Sequence, residues 1–327
     1  MRKALYILIL LLVFSCSKEV ENINISGSVF GTSYAVKYYS KNDSNYQKQF
    51  DSLFAAINKS MSTYIPDSDI SKINKNESVS VDQHFITVFN KAKEIYNATE
   101  GVFDPTIGAV VNAWDFGPEG NIESLDSLKI DSLMKSVGFN KVTRDSHIIN
   151  KEYPKTFLDF NAIAKGYGVD VIGEFLESQN VSNYIVDIGG EIRTKGVNKA
   201  KNLPWRVGVE KPHFDGSQSI LKAIELKDKA MATSGTYRKF KVDNNGNRYS
   251  HIIDTKTGYP SKTNLLSISV IADDCMTADA YATAFKAMGI EGVKTFLKSH
   301  PEFQVFLIFE NEKHEFETLN LNGFPEE

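Results

Sequence analysis

The 327-residue chain is poor in the residues that mark several functional classes. With two cysteines it can build neither a cysteine-rich metal site nor a disulfide framework. It has no surplus of positive charge: 37 Lys and Arg stand against 41 Asp and Glu, without the basic face a nucleic-acid binder needs. It has no long hydrophobic run. The longest, Ala4 to Phe14, is about 16 Å as a helix, half of what a bilayer requires. A P-loop, a Rossmann fingerprint, an H-E-x-x-H zinc pair and a G-x-S-x-G elbow are all missing. What is present is an ordinary globular composition, 42% hydrophobic and 24% charged, which excludes a disordered or collagen-like chain.

The N-terminus carries the first positive signal. Met1-Arg2-Lys3 sets two cations before the short apolar run, the pattern of a signal peptide rather than a spanning helix. The run ends in Val13-Phe14-Ser15-Cys16-Ser17; a small residue before cysteine resembles a bacterial lipoprotein cleavage box, although Phe14 is bulkier than usual there. Residues 1–15 therefore read as a lipoprotein signal peptide and Cys16 as the lipidated first residue. Residues 16–26 read as lipidated cysteine and polar tether, and 27–327 as the folded domain. The alternative is an ordinary signal peptide with an incidental cysteine. Several acyl chains, at about 0.8 kcal/mol per buried CH₂, would anchor the protein stably. The expectation is an exported protein, lipid-anchored to a bacterial membrane and facing the periplasm or cell exterior. Loss of Arg2 and Lys3 would leave 35 cations against 41 anions. Cys275 would then have no intrachain partner and is expected to be a buried small hydrophobe, with a catalytic thiol as the other reading.

No repeat, low-complexity tract or linker divides residues 27–327, so one domain is expected. Strand-like runs are Ser33–Tyr39, Asn183–Ile188, Trp205–Glu210, Leu265–Ala272 and Phe303–Glu310. Helical patterns are Tyr46–Ser60, Gln83–Thr99, Ile130–Val137, Ala162–Ser178, Thr277–Met288 and Gly292–Ser299. The lack of strict alternation points to α+β rather than a doubly wound sheet.

Three segments could carry chemistry. Leu158 to Asp170 passes from an apolar strand into a helix, with Asn161 as a plausible N-cap. The helix start, with Lys165, would favour an anion, and Gly166 and Gly168 leave room for a backbone or ligand. Alternatively, this is a tightly packed helix with a surface lysine. In Met276 to Ala284, Asp279 and Thr283 lie one helical turn apart on one face. Carboxylate and hydroxyl are hard donors suited to Mg²⁺; the competing reading is a helix-start Asp and a Thr bonded back to a carbonyl. His251, in a polar turn before Ile252-Ile253-Asp254, could act as a general base or be structural. The other five histidines read as surface residues.

Further turn-like blocks fall in a fixed order. They are Gly31-Thr32-Ser33-Tyr34, Met61-Ser62-Thr63-Tyr64, Gly101 to Thr106 with Trp114-Asp115-Phe116-Gly117, and Asp159 to Gly168. Val186 to Glu191, Trp205 with Pro212, Ala232 to Gly235, His251 to Asp254 with Thr257-Gly258, and Ala278 to Thr283 complete them. Together, over about residues 27–310, they resemble the ApbE family of FAD:protein FMN transferases. The resemblance implies a single α+β ApbE-like domain with a T-fold-like core and FAD, the substrate, in a cleft. It implies Mg²⁺ held by the Asp279 and Thr283 side chains and the Ala162 carbonyl. It implies flavin contacts from Phe30, Ser62, Thr63, Tyr64, Asp104, Lys165, Gly168 and Ile253; Phe30 stands where relatives often carry Met.

In such enzymes FMN moves from FAD to a Thr or Ser hydroxyl of a target redox protein, in a Ser/Thr-Gly-Ala-Thr-like segment, and AMP leaves. The chemistry needs a divalent cation to offset phosphoryl charge, and an in-line hydroxyl with a base, here His251. Tyr64 could stack on a flavin or adenine ring. Two alternatives stay open: a Mg²⁺-dependent FAD pyrophosphatase with water as acceptor, and a flavin-binding lipoprotein without chemistry.

Overall fold

The computed structural model describes residues 21–41, 44–120, 122, 125–237, 240–242 and 248–326. The expected signal peptide and Cys16 lie outside the described residues. A hairpin of β1 (Glu21–Val29) and β2 (Thr32–Ser40) is followed by α1 (Gln47–Met61), α2 (Asp69–Asn74), α3 (Gln83–Ala98), α4 (Gly108–Ala113) and α5 (Ser127–Met134). Next come β3 (Val142–Asp145), β4 (Ile148–Lys151) and α6 (Ala164–Ser178). Then follow β5 (Tyr184–Ile188), β6 (Glu191–Lys195), β7 (Val197–Asn198), β8 (Leu203–Glu210), β9 (Ile220–Leu226) and β10 (Ala230–Gly235). Last are β11 (Phe240–Val242), β12 (Arg248–Ser250), β13 (Leu265–Ala272), α7 (Cys275–Leu297), β14 (Gln304–Glu310) and β15 (Phe316–Leu321).

The expected α+β class is observed. Eight strands pair antiparallel in the order β1-β2-β5-β6-β10-β13-β14-β15. One face carries α6 and α7; the other is covered by the β8–β9 ribbon. Alternation makes the division visible: Ala232, Ile268 and Val270 join the helix-side core, whereas Met231 and Ile271 pack with Val207, Val209 and Ile224 of the ribbon. Because both faces are covered, every residue of β13 is buried, and its sequence reads as a continuous apolar run rather than an alternating one. The two helices expected at Thr277–Met288 and Gly292–Ser299 join as α7 across a break at Gly289, whose φ of 69° and ψ of 177° are not helical. Among the described residues no helix is long and apolar enough to cross a membrane.

The tether requires correction. Residues 21–26 are not a tether but the first part of β1, paired with β2 from Glu21↔Ser40 onward. Their composition is polar because the edge strand buries only Ile25 and Val29; the backbone ladder, which composition does not report, holds the rest.

Lys286 stands out in α7. It is 1% exposed, and burial alone pushes its ammonium pKa down to about 7. In the unfolded chain a lysine titrates near 10.4. Below pH 7 both states are charged and the fold bears the full desolvation cost; between pH 7 and about 10 the native state sheds its proton and stability recovers. Lys286→Met is therefore expected to stabilise the protein by about 2–5 kcal/mol at pH 6, with a gain that shrinks toward pH 10. Urea midpoints at pH 6 and 9.5 check this; a pH-independent gain would contradict it.

Candidate active site

A cleft of about 1250 Å³ opens at the end of the sheet where α6 and α7 begin. At its base the two helices cap each other. The Gly166 N–H of α6 donates to Asp279 Oδ2 of α7 at 2.9 Å. In return, Asp170 of α6 accepts from the Cys275 and Met276 N–H groups that open α7, at 2.9 and 2.8 Å. Each carboxylate thus satisfies orphan donors of the other helix. Asp274 completes the start of α7 by accepting from Thr277 N–H at 2.7 Å. The approach is close enough to need glycine: a Cβ on Gly166 would lie 2.3 Å from the Cys275 carbonyl oxygen.

Two expectations change here. Asn161 is not the N-cap; α6 starts at Ala164 with Ile163 in the cap position and no side-chain cap. The Asn161 backbone N–H instead donates to Asp159 at 2.7 Å, because the chain makes a turn before entering the helix. Nor is the Gly166 N–H available to a phosphate, since Asp279 already takes it. The site keeps its cationic side chain: Lys165 lines the cleft, 2.6 Å from Glu191 Oε1. Burial disfavours the Lys165 charge, but Glu191 and Asp279 outweigh it and raise the pKa.

Asp279 and Thr283 both line the cleft, as does Ala162. Thr283 Oγ1 is 3.1 Å from Ser234 Oγ at the end of β10, which fixes the hydroxyl from the sheet side. Burial raises the Asp279 pKa, opposed by Lys165 and by the Gly166 N–H. Among the described residues there is no cluster of three or more His, Cys, Asp or Glu that could hold a metal. One carboxylate, one hydroxyl and one backbone carbonyl form a sparse, all-oxygen donor set. Such a set fits Mg²⁺, which retains waters and shares its coordination with substrate phosphates. A buried carboxylate oxygen without a partner, Glu191 Oε2, lies in the same corner.

Flavin-contact candidates divide. Phe30, Ser62, Tyr64, Asp104, Lys165 and Ile253 line the cleft. Thr63 and Gly168 stand behind its wall. The Thr63 hydroxyl accepts from Asn161 Nδ2 at 3.4 Å, and a Cβ on Gly168 would meet the Phe30 ring at 2.7 Å. Gly168 therefore seats Phe30 rather than touching a ligand directly. Phe30 itself sits in the two-residue β1–β2 turn with φ of 50°, a conformation that non-glycine residues hold only where surrounding structure imposes it. Tyr64 is 59% exposed at the mouth, available to stack. Asp104 is buried and accepts from Thr106 N–H and Oγ1 at 2.8 and 2.6 Å; burial raises its pKa.

His251 follows β12 and lines the cleft, its ring 6.2 Å from that of Phe116. The loop after it is anchored from two distant segments. The Trp114 indole N–H donates to the Gly258 carbonyl at 2.9 Å, and the Thr255 hydroxyl to the Gly101 carbonyl at 2.7 Å. Blocks that are separate in sequence thus brace one wall. Among the described residues no other histidine lines the cleft; His84, read as a surface residue, is half-buried against Tyr167 Oη, whereas His147 is exposed, as expected, and bonds the Val81 carbonyl. Cys275 is a buried free thiol, as expected. Glu191, noted in the sequence only as part of a Gly-Gly turn, is the site residue that sequence reasoning missed. A lone glutamate after two glycines carries no signal of burial.

A family model described as the ApbE family matches residues 30–307. A curated relative from Vibrio cholerae, named FAD:protein FMN transferase, is 39% identical over 290 residues, covering 86% of each chain. One of the same name from Haemophilus influenzae is 37% identical, covering 84% of this chain and 83% of its own. Among solved structures, the flavin transferase ApbE from Vibrio cholerae superposes with a TM-score of 0.83 at 35% identity, covering 92% of this chain and 97% of that one. The apo flavinyl transferase ApbE from Pseudomonas stutzeri gives 0.82 at 26% identity, covering 92% and 95%.

Proposed function

The chain belongs to the ApbE family, and on that premise we propose that its cleft carries out FAD:protein FMN transfer. FMN moves from FAD to a Thr or Ser hydroxyl of a target redox protein, and AMP is released. The observation that carries this reading is the convergence of Asp279, Thr283 and Lys165 at the base of one cleft. At about 1250 Å³, the cleft exceeds the roughly 300–1,000 Å³ usual for a single small ligand, which suits a dinucleotide together with an acceptor segment.

Asp279, Thr283 and the Ala162 carbonyl, all at the cleft lining, are the groups that would hold Mg²⁺. When bound, Mg²⁺ offsets negative charge on the phosphoryl oxygens and the departing AMP. Lys165 supplies positive charge to the pyrophosphate beside it. Phe30 and Tyr64 present aromatic faces to the flavin, with Ile253 behind. His251 accepts the proton of the acceptor hydroxyl as its oxygen attacks the phosphorus of the FMN half. That bond forms as the bond to the AMP phosphate breaks, and the proton then passes to solvent.

The acceptor carries a Ser/Thr-Gly-Ala-Thr-like segment, and the enzyme is exported and tethered to a membrane through Cys16. Support for the tether is the sequence of residues 1–16 alone. To test the function, the full chain is incubated with FAD, Mg²⁺ and a protein carrying such a segment. Flavin fluorescence on the denatured acceptor, with AMP released, is the expected result. AMP without labelled acceptor would mean hydrolysis, and no AMP would leave only flavin binding. His251→Ala is expected to slow transfer by about 10²–10⁴-fold while FAD binding holds; near-normal transfer would remove it as the base.

A further inference from the structure

Glu191 opens β6 directly after a turn in which Gly189 and Gly190 have φ of 67° and 102°. The turn is closed by the Gly190 N–H donating to Asp187 Oδ1 at 2.9 Å. The residue is 3% exposed and lines the cleft with Lys165, Asp279 and Thr283. Its two oxygens differ. Oε1 receives the Lys165 ammonium at 2.6 Å. Oε2 is buried with no hydrogen-bond partner.

A buried carboxylate oxygen without a donor is costly, and native structures keep one only where a ligand or a special role accounts for it. The charges nearby narrow the choice. Two carboxyl groups, Glu191 and Asp279, line the same corner of the cleft as one ammonium, Lys165, so the corner is short of positive charge. A pyrophosphate offers only acceptor oxygens of the same sign and cannot satisfy Oε2. A water held by a divalent cation is a strong donor with positive character, and such waters are commonly oriented by a carboxylate that does not itself touch the cation.

We propose that Glu191 is a positioning residue of the cation site: Oε2 accepts a hydrogen bond from a cation-bound water while Oε1 holds Lys165. The identity of the cation site rests on the transferase reading above; the role of Glu191 within it does not require that transfer occur. One side chain would thereby set the spacing between the metal and the lysine, the two positive charges the substrate phosphates meet.

The test reads cation binding alone, without FAD or acceptor. Mn²⁺ is titrated into the full chain by water-proton relaxation, and Mg²⁺ by competition. Glu191→Gln is expected to weaken Mn²⁺ and Mg²⁺ by about 10–100-fold. Because that variant leaves Lys165 buried without its partner, Lys165→Met/Glu191→Gln is measured beside it. The double variant has the same net charge in the corner as the parent, since it loses the anionic acceptor together with the Lys165 ammonium paired to it. It is expected to remain at least tenfold weaker. Parent-like affinity in the double variant would show that Glu191 merely neutralises Lys165 and would overturn the proposal, whether or not the single variant folds. A chain that binds the cation through Glu191 yet releases no AMP would instead overturn the transferase reading and leave this one standing.

Discussion

Asp279→Asn is expected to abolish Mg²⁺-dependent AMP release and acceptor labelling while leaving the protein as stable as the parent, or more so. Asparagine keeps the shape of the side chain and an oxygen to receive the Gly166 N–H, now at 2.9 Å from the carboxylate. It removes the only charged donor among the residues assigned to the cation. A metal ion at a phosphoryl centre supplies several kcal/mol of transition-state stabilisation, so turnover should fall by about 10³-fold or more. Stability should move the other way in the absence of cation. Burial raises the Asp279 pKa, which means that the fold penalises the carboxylate when no cation balances it, and the neutral amide escapes that penalty. Thermal melts without and with Mg²⁺ provide the check. The parent should gain stability on adding the ion, and the variant should not. Asp279→Ala should differ from Asp279→Asn by losing stability as well, because the Gly166 N–H then has no acceptor. Unchanged turnover in Asp279→Asn would remove the metal assignment.

Gly166→Ala should be strongly damaging to the fold. Its Cβ would lie 2.3 Å from the Cys275 carbonyl oxygen, 2.7 Å from that carbonyl carbon and 2.8 Å from Asp279 Cβ. Two of these are backbone atoms at the start of α7, so no rotamer change relieves them. The helices must separate, which strains the packing and stretches the Asp279–Gly166 bond and the Asp170 bonds to Cys275 and Met276. Overpacking of about 1–3 kcal/mol together with a weakened charged hydrogen bond of about 1.5–3 kcal/mol gives an expected loss of about 3–5 kcal/mol. Denaturant unfolding measures it. Gly168→Ala, two residues on, is the instructive comparison. Its Cβ meets the Phe30 ring at 2.7 Å, and a ring can tilt where a backbone carbonyl cannot. The expected outcome there is a small stability change with weaker FAD binding. Equal destabilisation by the two substitutions would contradict the close-packing account of the helix pair.

Much of the site was legible in the chain. Asp279 and Thr283 share a helix face by spacing alone, and Lys165 follows a strand-to-helix turn; all three meet in the cleft. Strands β2, β5, β8, β13 and β14 and the break in α7 were readable because their apolar runs and the Gly289–Gly292 interval are local properties; β6 and β10 at the centre of the sheet were not, and Ala232 to Gly235, read as a turn, is the end of β10, its small and hydroxyl side chains lacking an apolar run. The start of α6 was not readable either: the expected Asn161 cap is absent because the turn at Asp159 takes the Asn161 N–H and delays the helix to Ala164. The β1 strand was hidden for a related reason: an edge strand needs few apolar residues when its partner supplies the backbone bonds.

The sequence by itself determined the class of fold, the family and the identity of most groups that could bear chemistry. These depend on composition, period and the order of motifs, which are written along one dimension. Only the tertiary structure decided how charges are shared. That Asp279 caps α6 and Asp170 caps α7 follows from two helices meeting across more than a hundred residues of chain, and that Lys165 is paired and Glu191 Oε2 is left over follows from the start of β6 packing against the start of α6. Burial makes each of these groups seek a partner, and the partner is whichever residue the fold brings within reach.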